Sequence, residues 1–315
     1  MDDKTTIAEQ TVTDLRVACA QKPHLSPRQD GPSDPRLKVS DDREIVRIGP
    51  HSGLDRGYLH DLWNARSLIK VLVWRDLRVR YKQTIFGIGW VFLQPVMTAL
   101  LYSLLFGLIA RMPSEGVPYP IFLLTALLPW LFISRLVSEG ATSIVANSGL
   151  VGKIYFPRLV LPLTVAGSLL VDLLVGFGVA LVAMAMFGYF PGIRILALPF
   201  IVVFAAASGL SVALILAPLD VNYRDIRMLM PFAIQMVMFV SPILYSATVV
   251  PEQLRWLFDL NPIAVIANSV RWSLLDHGEL PGAGTILISA GLVTSLLVLG
   301  VWLFVRAEPR FADRI

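Results

Sequence analysis

Six stretches of this chain are long and apolar enough to cross a bilayer, and no other feature limits its fold as strongly. Crossing the hydrocarbon core takes about 20 mostly apolar residues in a helix. Ile85–Ala110, Ile121–Val145, Leu159–Phe187, Leu196–Leu219, Met228–Ala247 and Thr285–Val305 all qualify. In lipid each backbone polar group must be satisfied within its own segment, so these stretches are expected to be helices. Charged residues make up only 16% of the chain, against roughly 25% in a soluble domain. The expected fold is therefore an all-α integral membrane protein with six transmembrane helices, spread over residues 85–315.

Charge orients the spans. With the N-terminus inside, the inner loops hold Arg66, Lys70, Arg75, Arg78, Arg80, Lys82, Lys153, Arg158, Arg224, Arg227, Arg306, Arg310 and Arg314. The outer loops hold Arg111, Arg194, Arg255 and Arg271. Basic residues collect on the cytoplasmic side, so both termini are expected there. Residues 1–50 are polar, carry Pro23, Pro27, Pro32 and Pro35, and lack the apolar core of a signal peptide. They are expected to form a disordered cytoplasmic tail with a short ordered piece near Glu44–Ile48. The single cysteine, Cys19, excludes an intrachain disulfide framework. His24, His51, His60 and His277 show no ligand spacing, so no metal site is expected.

Two segments are neither spans nor simple loops. Residues 51–84 form a basic region that ends abruptly at Thr84, where the first apolar span begins. At 100° per residue Leu62, Ile69, Val73 and Leu77 share one stripe, and Arg75, Arg78 and Lys82 lie opposite. That is the pattern of an amphipathic helix in the interface plane. Arg80 falls on the apolar stripe and must snorkel or reach toward the first span. The second segment, Val249–Gly284, is too polar to cross and is divided by Pro251, Pro262 and Pro281. Its short apolar run Ile263–Val270 suits a re-entrant helical hairpin in the outer leaflet.

Each functional feature has two readings. The basic helix anchors topology and meets membrane lipid; alternatively, Arg75, Arg78, Arg80 and Lys82 grip a phosphorylated headgroup. Aromatic residues near the spans are belt anchors by default, or stacking platforms for sugar rings. Asp172, about halfway along the third span, must be paired, protonated or wet. It is either a functional charge or a packing hydrogen bond. The second span carries Arg135 and Glu139 at i,i+4, a pair able to neutralise itself. The other four spans hold no Asp, Glu, Lys or Arg, which weakens a proton relay. No phosphate loop is present; Gly149-Leu-Val-Gly152-Lys153-Ile has the wrong spacing. Any ATP that powers the protein binds another chain. No catalytic set appears, so the chain is not expected to be an enzyme.

The order of short motifs adds a further expectation. Arg80-Tyr-Lys-Gln-Thr84, Phe86-Gly-Ile-Gly-Trp90 and Leu93-Gln-Pro95 open the series. Leu128-Pro-Trp130, Lys153-Ile-Tyr-Phe-Pro-Arg158, Tyr223-Arg-Asp-Ile226 and Ser241-Pro-Ile-Leu-Tyr245 follow. Val250-Pro251, Asn261-Pro262, Arg271 and Phe311-Ala-Asp313 complete it. Over about residues 58–315 this resembles the permease subunit of type-2 ATP-binding-cassette polysaccharide exporters, which move O-antigen, capsule and teichoic acid. The proline-rich tail departs from the family's usual short N-terminus. The resemblance implies a homodimer of six-span subunits in the bacterial inner membrane, with two cytoplasmic ATPase subunits that carry ATP and Mg. The chain itself would hold no cofactor. The implied substrate is a lipid-linked polysaccharide, and no nucleic-acid partner is expected.

By resemblance, Ile144–Tyr155 forms a coupling helix and Tyr223–Arg227 a smaller contact. Asn147, Leu150, Lys153, Tyr155, Phe156, Arg158, Tyr223, Arg224 and Asp225 would then meet the ATPase. The first and fifth spans would line the pore, which makes Trp90, Tyr102, Phe106, Phe239 and Tyr245 candidate glycan-facing residues. Three alternatives compete. A drug or lipid exporter of the same class would need fewer stacking platforms. An ion-coupled secondary transporter would work without an ATPase, but no internal repeat supports it. A membrane-embedded transferase lacks a catalytic acid or base.

Overall fold

A computed structural model describes residues 56–81, 89–152, 156–249, 251, 253, 255–275 and 280–311. The proposed tail, the ordered piece near Glu44–Ile48, Lys82, Lys153 and Tyr155 lie outside the described residues, as does the side chain of Trp90. The described residues are helical and contain no strand.

Two helices, α1 (Arg56–Asn64) and α2 (Arg66–Tyr81), precede the apolar region. The first long apolar element is α3 (Gly89–Tyr102), which continues as a π-helix over Ser103–Ile109. Then come α4 (Tyr119–Ala146), the single turn α5 (Ser148–Val151) and α6 (Val160–Met186). A 3-10 turn at Ile193–Ala197 leads into α7 (Leu198–Asn222), and α8 spans Asp225–Val240. Short helices α9 (Arg255–Leu260) and α10 (Pro262–Leu275) precede α11 (Ala283–Ala307).

Five of these units are long and apolar enough to cross a membrane: α3 with its π-helical extension, α4, α6, α7 with its leading turn, and α11. The expected fifth span is shorter than its apolar run. Helix α8 has 16 residues and stops at Val240. Pro242 has no N–H to continue the ladder and disfavours helical geometry at Ser241, which is extended with ψ 146°.

Helix α4 is the centre of the bundle. Of its apolar window 78% is buried, against 33% for α6, 39% for α7, 17% for α11 and 6% for α3. It packs against α6 and α7, and α7 in turn packs against α11. Close approach is bought with small residues, as is common in membrane bundles. A Cβ on Gly140 of α4 would meet Ala213 of α7 at 3.0 Å, and one on Gly300 of α11 would lie 2.8 Å from the Ser211 carbonyl oxygen of α7. Buried hydroxyls return to their own helix: Thr125, Ser143, Thr164, Ser208 and Ser211 all donate to carbonyls three or four residues back. This satisfies polar atoms without water.

Candidate functional site

The charged residues of the spans come together around the C-terminal end of α2. Arg80 donates to Asp172 of α6 at 2.6 Å and to Glu139 of α4 at 2.9 Å. Arg135 donates to Glu139 at 3.0 Å and to Asp172 at 3.2 Å. The Tyr81 hydroxyl also donates to Asp172. Two cations and two carboxylates therefore close a network across three helices. Burial alone would pull the Arg80 guanidinium down, but Glu139 and Asp172 outweigh it and hold the group above its ordinary value. Burial, reinforced by the bond to Asp172, pushes the Tyr81 phenol up to about 12.

This placement changes the reading of α2. Val73 meets Gly167 of α6, and two α2 turns later Arg80 and Tyr81 meet Asp172. The helix thus follows α6 toward the middle of that span. Asp172 stands twelve residues past Val160, or ~18 Å along the axis at the α-helical rise. Arg80 does not reach the first span for a partner, as the helical wheel suggested; its partners lie on the second and third. Among the residues of α2, Leu72 is buried. Asp172 accepts from three donors, Arg80, Tyr81 and Arg135.

Beside the network lies a cavity of about 330 Å³. Arg80, Tyr81, Arg135 and Asp172 form its polar wall, and Gln94 and Pro95 of α3 face them. Leu128, Phe132, Leu169 and Leu173 line the remainder. Arg75 and Arg78 point elsewhere. Arg75 bridges Asp76 at 2.8 Å and Asn147 at 3.0 Å, and Arg78 lies over Trp74 at 5.6 Å.

The candidate channel aromatics fall into two settings. Tyr102 and Phe106 meet edge to face at 6.1 Å, where α3 gives way to the π-helix. Together with Tyr245 they pack against a buried cluster built on Phe122, Trp130 and Ile243. Phe239 stays 46% exposed on α8. The Tyr245 hydroxyl donates to the Phe239 carbonyl at 3.0 Å, so the two residues share one turn.

At the opposite end the expected coupling helix is not continuous. Helix α4 ends at Ala146, and Asn147 breaks it with φ −109° and ψ 26°. The Asn147 side chain donates to the Ser143 carbonyl at 2.9 Å, and Leu150 lies on the single turn α5. Asn147 competes with the helix by bonding a neighbouring backbone carbonyl with its side chain. Phe156 is buried beneath this turn. Arg158 turns to the C-terminal segment: its guanidinium donates to the Glu308 carbonyl and its amide to Glu308 Oε1 at 2.8 Å. Tyr58 of α1 donates to Glu308 Oε2 at 2.8 Å. Glu308 thus joins three segments that sequence reasoning left apart. Tyr223 is exposed between α7 and α8, Arg224 stands at the N-cap position of α8 without a side-chain cap bond, and Asp225 begins the helix, where a negative charge suits the N-terminus. Next to them Arg227 is clamped on buried Asp220 at 2.7 and 3.0 Å.

The chain is similar in sequence to known membrane permeases. The O-antigen export system permease protein RfbA of Myxococcus xanthus is 30% identical over 82% of this chain and 98% of its own length. The protein of the same name from Klebsiella pneumoniae is 29% identical over 82% of this chain and 96% of its own. The polysialic acid transport protein KpsM of Escherichia coli is 24% identical over 66% of this chain and 81% of its own. The model of the ABC-2 type transporter family matches residues 67–275, from α2 to the end of α10, and the chain belongs to that family.

Proposed function

We propose that this chain is the membrane subunit of an ATP-driven exporter that carries a lipid-linked polysaccharide out of the cytoplasm. The observation that carries the reading is near end-to-end similarity to permeases named for O-antigen export. It is joined by a set of five long apolar helices and by the lack of a phosphate loop in the sequence. Hydrolysis then belongs to a partner ATPase, which binds ATP and Mg, and this chain acts as a gate rather than an enzyme.

In this reading α8 is a sixth, short crossing completed by the turn after Val240. Both termini are cytoplasmic in the bacterial inner membrane, and α9 and α10 form the outer re-entrant pair. Two copies meet through α3 with its π-helical extension and α8, whose apolar faces are exposed at Leu100, Leu104, Leu108, Phe232, Met236 and Phe239. Bare apolar surface of this kind suits a partner or lipid. Tyr102, Phe106, Phe239 and Tyr245, with Trp90, supply rings for sugar stacking along the path. Asn147, Leu150 and the turn that follows, with Tyr223–Asp225, face the ATPase. Arg75, Arg78 and Lys82 meet the phosphorylated headgroup. Arg80 is already committed to Asp172 and Glu139, so its contribution is to hold α2 in place.

The experiment is deletion and complementation in the source bacterium. Loss of the chain is expected to abolish surface polysaccharide and to accumulate lipid-linked glycan inside. Normal surface glycan in the deletion, with a drug or phospholipid retained instead, would replace this reading with the other branch of the family.

A further inference from the structure

The residues from Ser241 to Ser246 form no helix, yet Ser241, Ile243, Leu244 and Ser246 are at most 1% exposed. A buried irregular stretch has backbone groups that no ladder satisfies. Here side chains from other elements supply the bonds. Arg271 of α10 donates from Nη1 to the Pro242 carbonyl at 2.9 Å and from Nη2 to the Ile243 carbonyl at 3.0 Å. Tyr119, the first residue of α4, donates to the Leu244 carbonyl. Asn261 donates to Ser241 Oγ at 2.8 Å, and Ser246 donates to Glu115 in the loop before α4.

Arg271 is the centre of this arrangement. It is 4% exposed, and its guanidinium lies over the Phe122 ring at 3.7 Å. Among the described residues it has no carboxylate within ion-pair distance, and its Nε lacks a partner. Glu115 attracts it from beyond that distance, and Asn268 Oδ1 accepts from Nη1 at 3.5 Å. A desolvated cation with no direct ion pair is still expensive, and two carbonyls with one aromatic face offset only part of that. Two consecutive carbonyls also demand a planar fork, which lysine cannot offer. The site is therefore specific to arginine and fastens three elements at once: α10, α4 through Phe122, and the turn that ends α8.

That turn carries the outer aromatic wall, because Tyr245 bonds back to the Phe239 carbonyl across it. We propose that Arg271 is a positioning residue of the transport path, which locks the Ser241–Ser246 turn to α4 and α10 and so sets where Phe239 and Tyr245 stand at the outer end. The proposal rests on the reading of those two rings as channel-facing.

The test uses the full chain with its ATPase partner in proteoliposomes and the variant Arg271→Lys. Two quantities are read: amide hydrogen exchange over residues 241–249, with α7 amides as the reference, and glycan exported per ATP hydrolysed. Exchange in the turn is expected to rise about tenfold or more, as local opening frees it, while α7 stays unchanged. Export per ATP is expected to fall by a similar factor with the complex intact. Unchanged exchange overturns the anchoring. Faster exchange with wild-type export per ATP overturns the positioning role. Where Arg271→Lys fails to assemble, Phe122→Leu keeps the charge and removes the stacked face, and the same two outcomes decide. A wild-type complex that exports no glycan refutes the transport reading alone, since exchange still reports the anchor.

Discussion

Arg80 and Asp172, 92 residues apart in the chain, meet at 2.6 Å and fasten the end of α2 to the middle of α6. The pair is part-buried, with side chains 25% and 12% exposed, so its removal leaves charges that water reaches only partly. Breaking a fully buried pair costs ~3–5 kcal/mol, and partial exposure reduces this to about 2 kcal/mol for Asp172→Asn. Asparagine keeps one acceptor oxygen, so either the two arginines on Oδ2 or Tyr81 on Oδ1 loses its partner at the same time. The double variant Arg80→Met with Asp172→Leu should cost less than the two single variants added together, because neither change then strands a charge. Thermal inactivation of the detergent-solubilised protein measures all three, and strict additivity would contradict the network.

Tyr81 gives that network a pH signature. Its phenol is raised to about 12, by burial first and by the bond to Asp172 second, from an ordinary value of 10.0. The folded state therefore holds the proton more tightly than the unfolded state. The stability this confers is fully present below pH 10 and is lost as pH rises through about 12. In Tyr81→Phe the fall in melting temperature over that window should be shallower than in the parent. Tyrosinate absorbance should show the corresponding late-titrating phenol missing from the variant. Identical pH profiles would mean that the phenol is solvated.

Part of this site was legible in the sequence. Arg135, Glu139 and Asp172 stand out because apolar spans tolerate few charges, and Arg80 stands out on the apolar stripe of its helix, from which it is expected to snorkel or reach toward the first span. Which partner it finds depends on how α2 runs along α6, and helical periodicity carries no information about that. The π-helix at Ser103–Ile109 and the end of α8 differ in the same respect. Pro242 marks the second plainly, whereas nothing in the local sequence marks the first. Glu308 was missed because a single acidic residue near a terminus looks like any solvated charge. Its role appears only once α1, the turn after α5 and the C-terminal segment are folded together.

Contact between α7 and α11 depends on Gly300. An added Cβ would sit 2.8 Å from the Ser211 carbonyl oxygen and 3.1 Å from Leu214 Cβ, so backbone rather than a flexible side chain would have to move. Overpacking of this kind costs ~1–3 kcal/mol. Gly291, on the same helix, has nothing within 4 Å of the corresponding position. Gly300→Ala should therefore lower the thermal midpoint and the yield of folded protein, while Gly291→Ala leaves both unchanged or slightly improved through helix propensity. Equal effects from the two would mean that α11 does not pack on α7 as described.

Arg158 separates two accounts of the cytoplasmic face. If it is a contact for the ATPase, Arg158→Ala should weaken co-purification of the partner, and Glu308→Ala should not. The geometry favours another outcome, because Glu308 takes the Arg158 amide and guanidinium as well as the Tyr58 hydroxyl. Phe311 supports the same guanidinium at 5.9 Å and packs edge to face on buried Phe304 at 5.4 Å. Hydrogen bonds to a charged group contribute ~1.5–3 kcal/mol, and water at this part-buried site reduces that to about 1–2 kcal/mol. Each single variant should lower stability by that amount, and the double variant should lose nearly the sum, since Arg158→Ala removes the bond to the Glu308 backbone carbonyl whereas Glu308→Ala removes the bonds from the Arg158 amide and the Tyr58 hydroxyl. ATPase co-purification is expected to fall in parallel with stability in both. A selective loss of partner binding in Arg158→Ala, at unchanged melting temperature, would return this arginine to the docking surface.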